Sequence, residues 1–124
     1  MFDEPISSRK ITPNFKSMTH KEVLEYYLNH PDDIENGLRI KQKEAPILRG
    51  RIDLLAIDKH QKICFIEVVH RSHCSRAYYE GKLRSYRLQA LWLVRIITKS
   101  KQETNTIRLI IVKPNKSVID VDRN

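Results

Sequence analysis

Two apolar segments, each broken by a single acid, are joined by a short polar link: Gly50-Arg-Ile-Asp-Leu-Leu-Ala-Ile-Asp58, then Lys59-His-Gln-Lys62, then Ile63-Cys-Phe-Ile-Glu-Val-Val69. Apolar runs of this length predict two strands, and the short link predicts that they pair as a hairpin. Asp53 and Glu67 then fall inside the sheet, where an unpaired carboxylate is costly to bury, so each needs a partner or a solvent-facing edge. A hairpin closed through Lys59 to Lys62 brings both acids to the same end of one face, near enough to share a divalent cation. Hard oxygen ligands of this kind suit Mg²⁺ or Mn²⁺, which would bind phosphate, polarise it and lower the pKa of an attacking water. From the residues alone, the alternative is that each acid pairs with a neighbouring Arg or Lys on an edge strand.

The rest of the pattern surrounds the hairpin with helices. Thr19-x-x-Glu22 has the form of a capping box, and Val23, Leu24, Tyr27 and Leu28 recur at helical spacing, predicting a helix from about residue 20 to 30. Pro31 begins a second turn that Gly37 is placed to end. Leu38, Ile40 and Gln42 alternate with Arg39, Lys41 and Lys43, as in a strand with one wet face. From Ser75 to about Thr98 the positions Tyr79, Leu83, Tyr86, Ala90, Leu93, Val94 and Ile97 follow the 3.6-residue period of a long helix. A last strand, Ile107 to Val112, stops at Pro114. The expected order is helix, three strands, helix, strand: a mixed α/β sheet flanked by helices. Residues 1–18 lack periodicity and read as a flexible N-terminal arm, leaving 19–124 as one domain.

Charge is distributed unevenly. The chain carries 23 Lys and Arg against 15 Asp and Glu, a net charge of +8. Between His70 and Lys101, Arg71, Arg76, Lys82, Arg84, Arg87, Arg95, Lys99 and Lys101 face Glu80 alone, the footprint expected of a polyanion binder. A solvated helix face is the plainer reading of such a run. Two cysteines in 124 residues are too few for a disulfide scaffold. No apolar run approaches the ~18 residues of a membrane span, and the first residues lack the apolar core of a signal peptide, so a soluble, cytoplasmic protein is expected.

The hairpin Ile52-Asp53-Leu54-Leu55 followed by Phe65-Ile66-Glu67-Val68-Val69 resembles the core of the PD-(D/E)XK nucleases, which have a restriction-endonuclease-like fold. More narrowly, Leu28-x-x-Pro31-x-x-Ile34-Glu35-x-Gly37-Leu38, then Gly50 to Leu55, then Arg108-Leu-Ile-Ile-Val-Lys-Pro114 resembles the nuclease domain of the NucS/EndoMS endonucleases of DNA repair. The similarity runs over residues 19 to 114 in the same element order. The N-terminal dimerisation and DNA-binding domain of those enzymes finds no counterpart in the arm.

This resemblance implies a Mg²⁺- or Mn²⁺-dependent endonuclease acting on DNA. It assigns Asp53 and Glu67 as metal-binding acids, with Val68 completing the metal set, and Glu22 as a helical acid that supports the metal through water. Glu22 also has the competing task of closing the capping box, with Glu25 then the fallback acid. Val69 stands where the family has lysine, and valine can neither orient water nor offset charge on a phosphate. Lys82, early in the following helix, is the expected substitute, with His70 and Arg71 behind it. Arg71, Arg76, Lys82, Arg84, Arg87 and Gln89 are the expected nucleic-acid contacts. Val69 also leaves open a nuclease scaffold that only binds nucleic acid or docks a protein partner, and a ribonuclease or a resolvase of branched DNA would use the same site. Double-strand cutting by one site per chain is met most simply by a two-fold homodimer, for which the apolar stretch Leu88 to Ile97 is available. His70-x-x-His73-Cys74 with distant Cys64 matches no regular zinc spacing. Tyr78 and Tyr79 are candidates for stacking on bases, and Trp92 for the core or a dimer contact.

Overall fold

A computed structural model describes residues 17–70, 75–98, 107–114 and 117–123, the side chains of 92–98 and 123 excepted. The arm over residues 1–16, together with Arg71, His73, Cys74, Lys99 and Lys101, lies outside the described residues, as do the side chains of Trp92 and Arg95. Helix α1 is His20–Asn29 and is followed by a 3₁₀ turn, Pro31–Asp33. The strands are β1 (Arg39–Pro46), β2 (Arg51–Ile57), β3 (Ile63–Val68), β4 (Ile107–Val112) and β5 (Val118–Asp120), with α2 (Arg76–Thr98) between β3 and β4. Among the described residues the strands form one sheet in the order β1-β2-β3-β4-β5. Neighbours are antiparallel except β3 and β4, whose parallel pairing requires the crossover that α2 provides.

Side-chain alternation divides the core between the two faces of this sheet. Leu54, Ala56, Cys64, Ile66, Val68, Ile110 and Val112 pack against Val23, Leu24 and Tyr27 of α1. Phe65, Val69, Leu109 and Ile111 pack against Leu83, Tyr86 and Leu91 of α2. The result is the helix–sheet–helix layering of a restriction-endonuclease-like α/β fold. No helix among the described residues is long and apolar enough to cross a membrane.

The β2–β3 turn forms as its sequence suggests. Asp58 N–H donates to the Lys62 carbonyl, Gln61 N–H donates to the Asp58 carbonyl, and Asp58 Oδ1 accepts from the amides of His60 and Lys62. Gln61 takes the left-handed conformation, φ 67°, expected where a hairpin turn ends in a bulge. Two expectations need correction. Strand β1 runs past Lys43 to Pro46, and a register shift between Ile40 and Gln42 reverses its alternation, so that Ala45 becomes its buried residue. The chain also does not end its structure at Pro114: β5 and a 3₁₀ turn (Val121–Arg123) follow, with Val121 buried against the α2 layer. Three residues are too few for a strand to show a period.

Candidate active site

Strands β2 and β3 pair from Ile57–Ile63 to Leu54–Ile66, and one step further their register sets Asp53 opposite Glu67. There the acids take over from main-chain pairing. Val68 N–H donates to Asp53 Oδ2 at 2.9 Å, and Asp53 N–H donates to Glu67 Oε2 at 3.2 Å, so each carboxylate satisfies an amide of the opposite strand. That is why two acids are tolerated in otherwise apolar strands. It does not remove their mutual repulsion, since like charges directly across a sheet destabilise it. Burial and the facing Asp53 push the Glu67 carboxyl above its ordinary range, against the pull of Lys82.

Two hydrogen-bond donors answer this charge, one from each helix. Lys82, two turns into α2, places Nζ 3.0 Å from Glu67 Oε1. Burial would lower the lysine pKa, but the hydrogen bond and charge of Glu67 outweigh it and hold the ammonium above the usual lysine range. Lys82 Nζ also lies 6.0 Å from the centre of the Tyr86 ring, at the outer edge of a cation–π contact. His20, the first residue of α1, places Nε2 3.3 Å from Asp53 Oδ2 and 3.2 Å from the Val68 carbonyl oxygen. Both neighbours are acceptors, so Nε2 carries the hydrogen. The hydrogen bond to Asp53 raises the imidazole pKa despite its partial burial.

His20, Asp53, Glu67, Val68, His70, Tyr79 and Lys82 line a cavity of about 290 Å³ open to solvent. Its donor set fits a hard divalent cation: the two carboxylates and the Val68 carbonyl all offer oxygen, with water left to complete the shell. Among the described residues no three His, Cys, Asp or Glu side chains gather as a metal cluster, so a third oxygen here could come only from the main chain or water. Cys64 does not take part. It is buried on the α1 face of β3, and burial pushes its thiol up to about 12.

The structure brings Asp53, Glu67, Val68, His70 and Lys82 to one cavity and gives Glu22, Glu25, Arg76, Arg84, Arg87 and Gln89 other partners, while Arg71 lies outside the described residues. Glu22 closes the capping box: its Oε1 accepts from Thr19 N–H at 2.7 Å while Thr19 Oγ1 accepts from Glu22 N–H. The fallback acid, Glu25, pairs with Lys43 of β1. The residue that helix α1 places on the cavity wall is His20. Arg87 is buried, donating to Asp122 and to the Ile107 carbonyl, and so is not a surface contact. Arg76 and Arg84 are exposed, but both pair with Glu80 within α2. Gln89 is spent on the main chain of Arg49. Val69 is buried beside Leu83 and Tyr86, on the strand face it shares with Glu67. Tyr79 lines the cavity, whereas Tyr78 is exposed.

No family model and no curated protein matches this sequence. Solved structures do. A repair endonuclease from Pyrococcus abyssi aligns over 79% of this chain with a TM-score of 0.58 and 19% identity. EndoMS in a complex with double-stranded DNA aligns over 84% with a TM-score of 0.57 and 18% identity, and apo EndoMS over 79% with 0.55 and 21%. The chain spans 38% of the length of each of these proteins. The alignments show the fold: the chain has the restriction-endonuclease-like fold of the NucS/EndoMS repair endonucleases.

Proposed function

We propose that this chain is a DNA endonuclease centre in which Asp53, Glu67 and the Val68 carbonyl hold Mg²⁺ or Mn²⁺ and Lys82 supplies the cation that Val69 cannot. The observation that carries this reading is Lys82 Nζ at 3.0 Å from Glu67 Oε1, a lysine brought by α2 to the carboxylate pair from a position outside the usual motif. When bound, the metal would supply Lewis acidity toward a phosphodiester and toward water. Lys82, kept protonated by Glu67, sits where positive charge offsets negative charge developing on a phosphate. Glu67 holds Lys82 in place, and Asp53 holds Val68 so that its carbonyl faces the cavity. His20 occupies the approach between Asp53 and Val68 and orients both oxygens in the metal-free chain.

Incubating the chain with duplex, mismatched, branched and single-stranded DNA tests this reading. Products should form with Mn²⁺ or Mg²⁺ and not with EDTA, and Mn²⁺ should raise the Tm. Intact DNA on every substrate would overturn it and favour the second reading, a scaffold that binds DNA or a protein partner without cutting, for which Val69 speaks. A two-fold homodimer is part of the proposal: Leu88, 61% exposed on α2, gives that face an apolar contact, and a monomeric mass in light scattering with and without DNA would remove it. Glu22 has a different expected phenotype. Glu22→Ala should cost about 1 kcal/mol in urea unfolding through loss of the capping box while leaving cleavage within about twofold, whereas a large rate loss would return Glu22 to the site.

A further inference from the structure

The loop Ile47-Leu48-Arg49-Gly50 joins β1 to β2 beyond the Pro46–Arg51 pair, and it is held more firmly than a surface loop requires. Ile47 N–H donates to the Gly50 carbonyl at 3.1 Å. Gln89 of α2 grips Arg49 from both sides, accepting its N–H at 2.8 Å and donating to its carbonyl at 3.5 Å. Gly50, at φ +113°, lies so close to α2 that a Cβ would sit 2.7 Å from the Tyr86 hydroxyl. Ile47 packs against the α2-side core. A tip anchored in this way nevertheless displays Leu48, 60% exposed, with Arg49 and Arg51 following it in the chain.

A lone exposed leucine needs no explanation. Its setting supplies one. The described cations of α2 are spent on Glu67, Glu80 and Asp122, while among the described residues Arg49 has no ion pair and the Arg51 guanidinium, 71% exposed, comes only within 4.0 Å of Glu44. Arg51 and Asp53 are two residues apart on β2, about 7 Å along the strand, and Gly50 lies against Tyr86, whose ring centre is 6.0 Å from Lys82 Nζ, so the loop sits beside the acids. Leu48 is at most about 17 Å of chain from Asp53. At about 3.4 Å per base step, the tip lies roughly two to five base pairs from a phosphate seated at the acids.

We propose that this tip is a wedge for duplex DNA, an inference that rests on the nuclease reading: Leu48 inserts at a base step from the minor groove while Arg49 and Arg51 contact the flanking phosphates. Apolar side chains accompanied by basic ones unstack base steps in this way, and a tip already fixed by Gln89 and Gly50 loses little entropy on doing so.

The test uses duplexes with a single 2-aminopurine at each of six steps on either side of the mapped cut. With wild type in EDTA, fluorescence should rise at one step two to five base pairs from the cut. Leu48→Ser should abolish the rise and slow cleavage about tenfold while Kd changes less than about threefold. Arg49→Gln and Arg51→Gln should each weaken binding and reduce the slope of log K against log salt by about 1. Unchanged fluorescence and rate in Leu48→Ser would overturn the wedge with the nuclease reading intact. A Leu48→Ser protein that instead loses dimerisation in light scattering would make the tip a protein contact and equally overturn it. A wild type that neither binds nor cuts any DNA removes both.

Discussion

On the proposed reading, Asp53→Asn and Glu67→Gln should each reduce metal-dependent cleavage by about three orders of magnitude or more, since each removes one of the two carboxylates that face the cavity. DNA affinity should be equal or higher, because an anion is removed from a phosphate site. The folded state has its own expected response. In Asp53→Asn the side-chain carbonyl oxygen can still accept from Val68 N–H, and the repulsion across the β2–β3 pair disappears. The Tm of this variant should therefore match or exceed wild type while its Mn²⁺-induced rise is lost. Lys82→Ala should lower the rate by about two to three orders of magnitude with a much smaller change in Kd. Adding Val69→Lys to that variant should restore part of the rate, because residues 67 and 69 share a strand face. Wild-type rates in the acid variants at saturating metal would overturn the assignment, and an equal loss of rate and affinity in Lys82→Ala would make Lys82 an ordinary phosphate contact.

The largest expected stability effect is at Arg108. Its guanidinium, 11% exposed on β4, meets Glu35 through two bonds of 2.7 Å, Asp58 at 3.0 Å and Asp120 at 2.8 Å. It thereby ties the segment before β1, the β2–β3 turn and β5 to the sheet. Arg108→Ala leaves three carboxylates facing one another, one of them fully buried, and should cost about 3–5 kcal/mol. A Tm lower by about 10 °C or more is expected, and an unchanged Tm would refute the role. The deficit should shrink in acid. Burial would raise the Asp58 pKa, but the Lys62 amide, Arg108 and the His60 amide outweigh it, leaving it below the ordinary 3.8. Its stabilising contribution is therefore complete above about pH 4 and is lost as pH falls through the folded-state value, so wild type and variant should converge there.

Asp53 and Glu67 were legible in the sequence because an acid in an apolar strand demands a reason, and four linking residues fix which acids face each other. Lys82 was legible because Val69 left a vacancy in a recognised pattern and α2 follows directly. Arg87 carried a signal that the charge count obscured: it lies four residues from both Leu83 and Leu91, on the buried stripe of α2. His20 carried a weaker one. The capping box of Thr19 and Glu22 fixes where α1 begins, which makes His20 its first residue, but only the tertiary placement of α1 against β2 and β3 brings that residue to Asp53. The clamp of Gln89 on Arg49 spans 40 residues and has no local pattern at all.

The parallel β3–β4 pair separates the making of the site in time. The turn from Asp58 to Lys62 closes locally, so β2 and β3 are expected to zip from that end, a fast event on the scale of microseconds. Zipping is expected to pause where Asp53 meets Glu67. The two charges oppose the last step until α2, committed to a slower non-local crossover, delivers Lys82. Mutations in the Asp58–Lys62 turn should therefore slow folding, while Lys82→Ala should act chiefly on unfolding, so that a nascent chain holds its hairpin before Lys82 reaches the two acids.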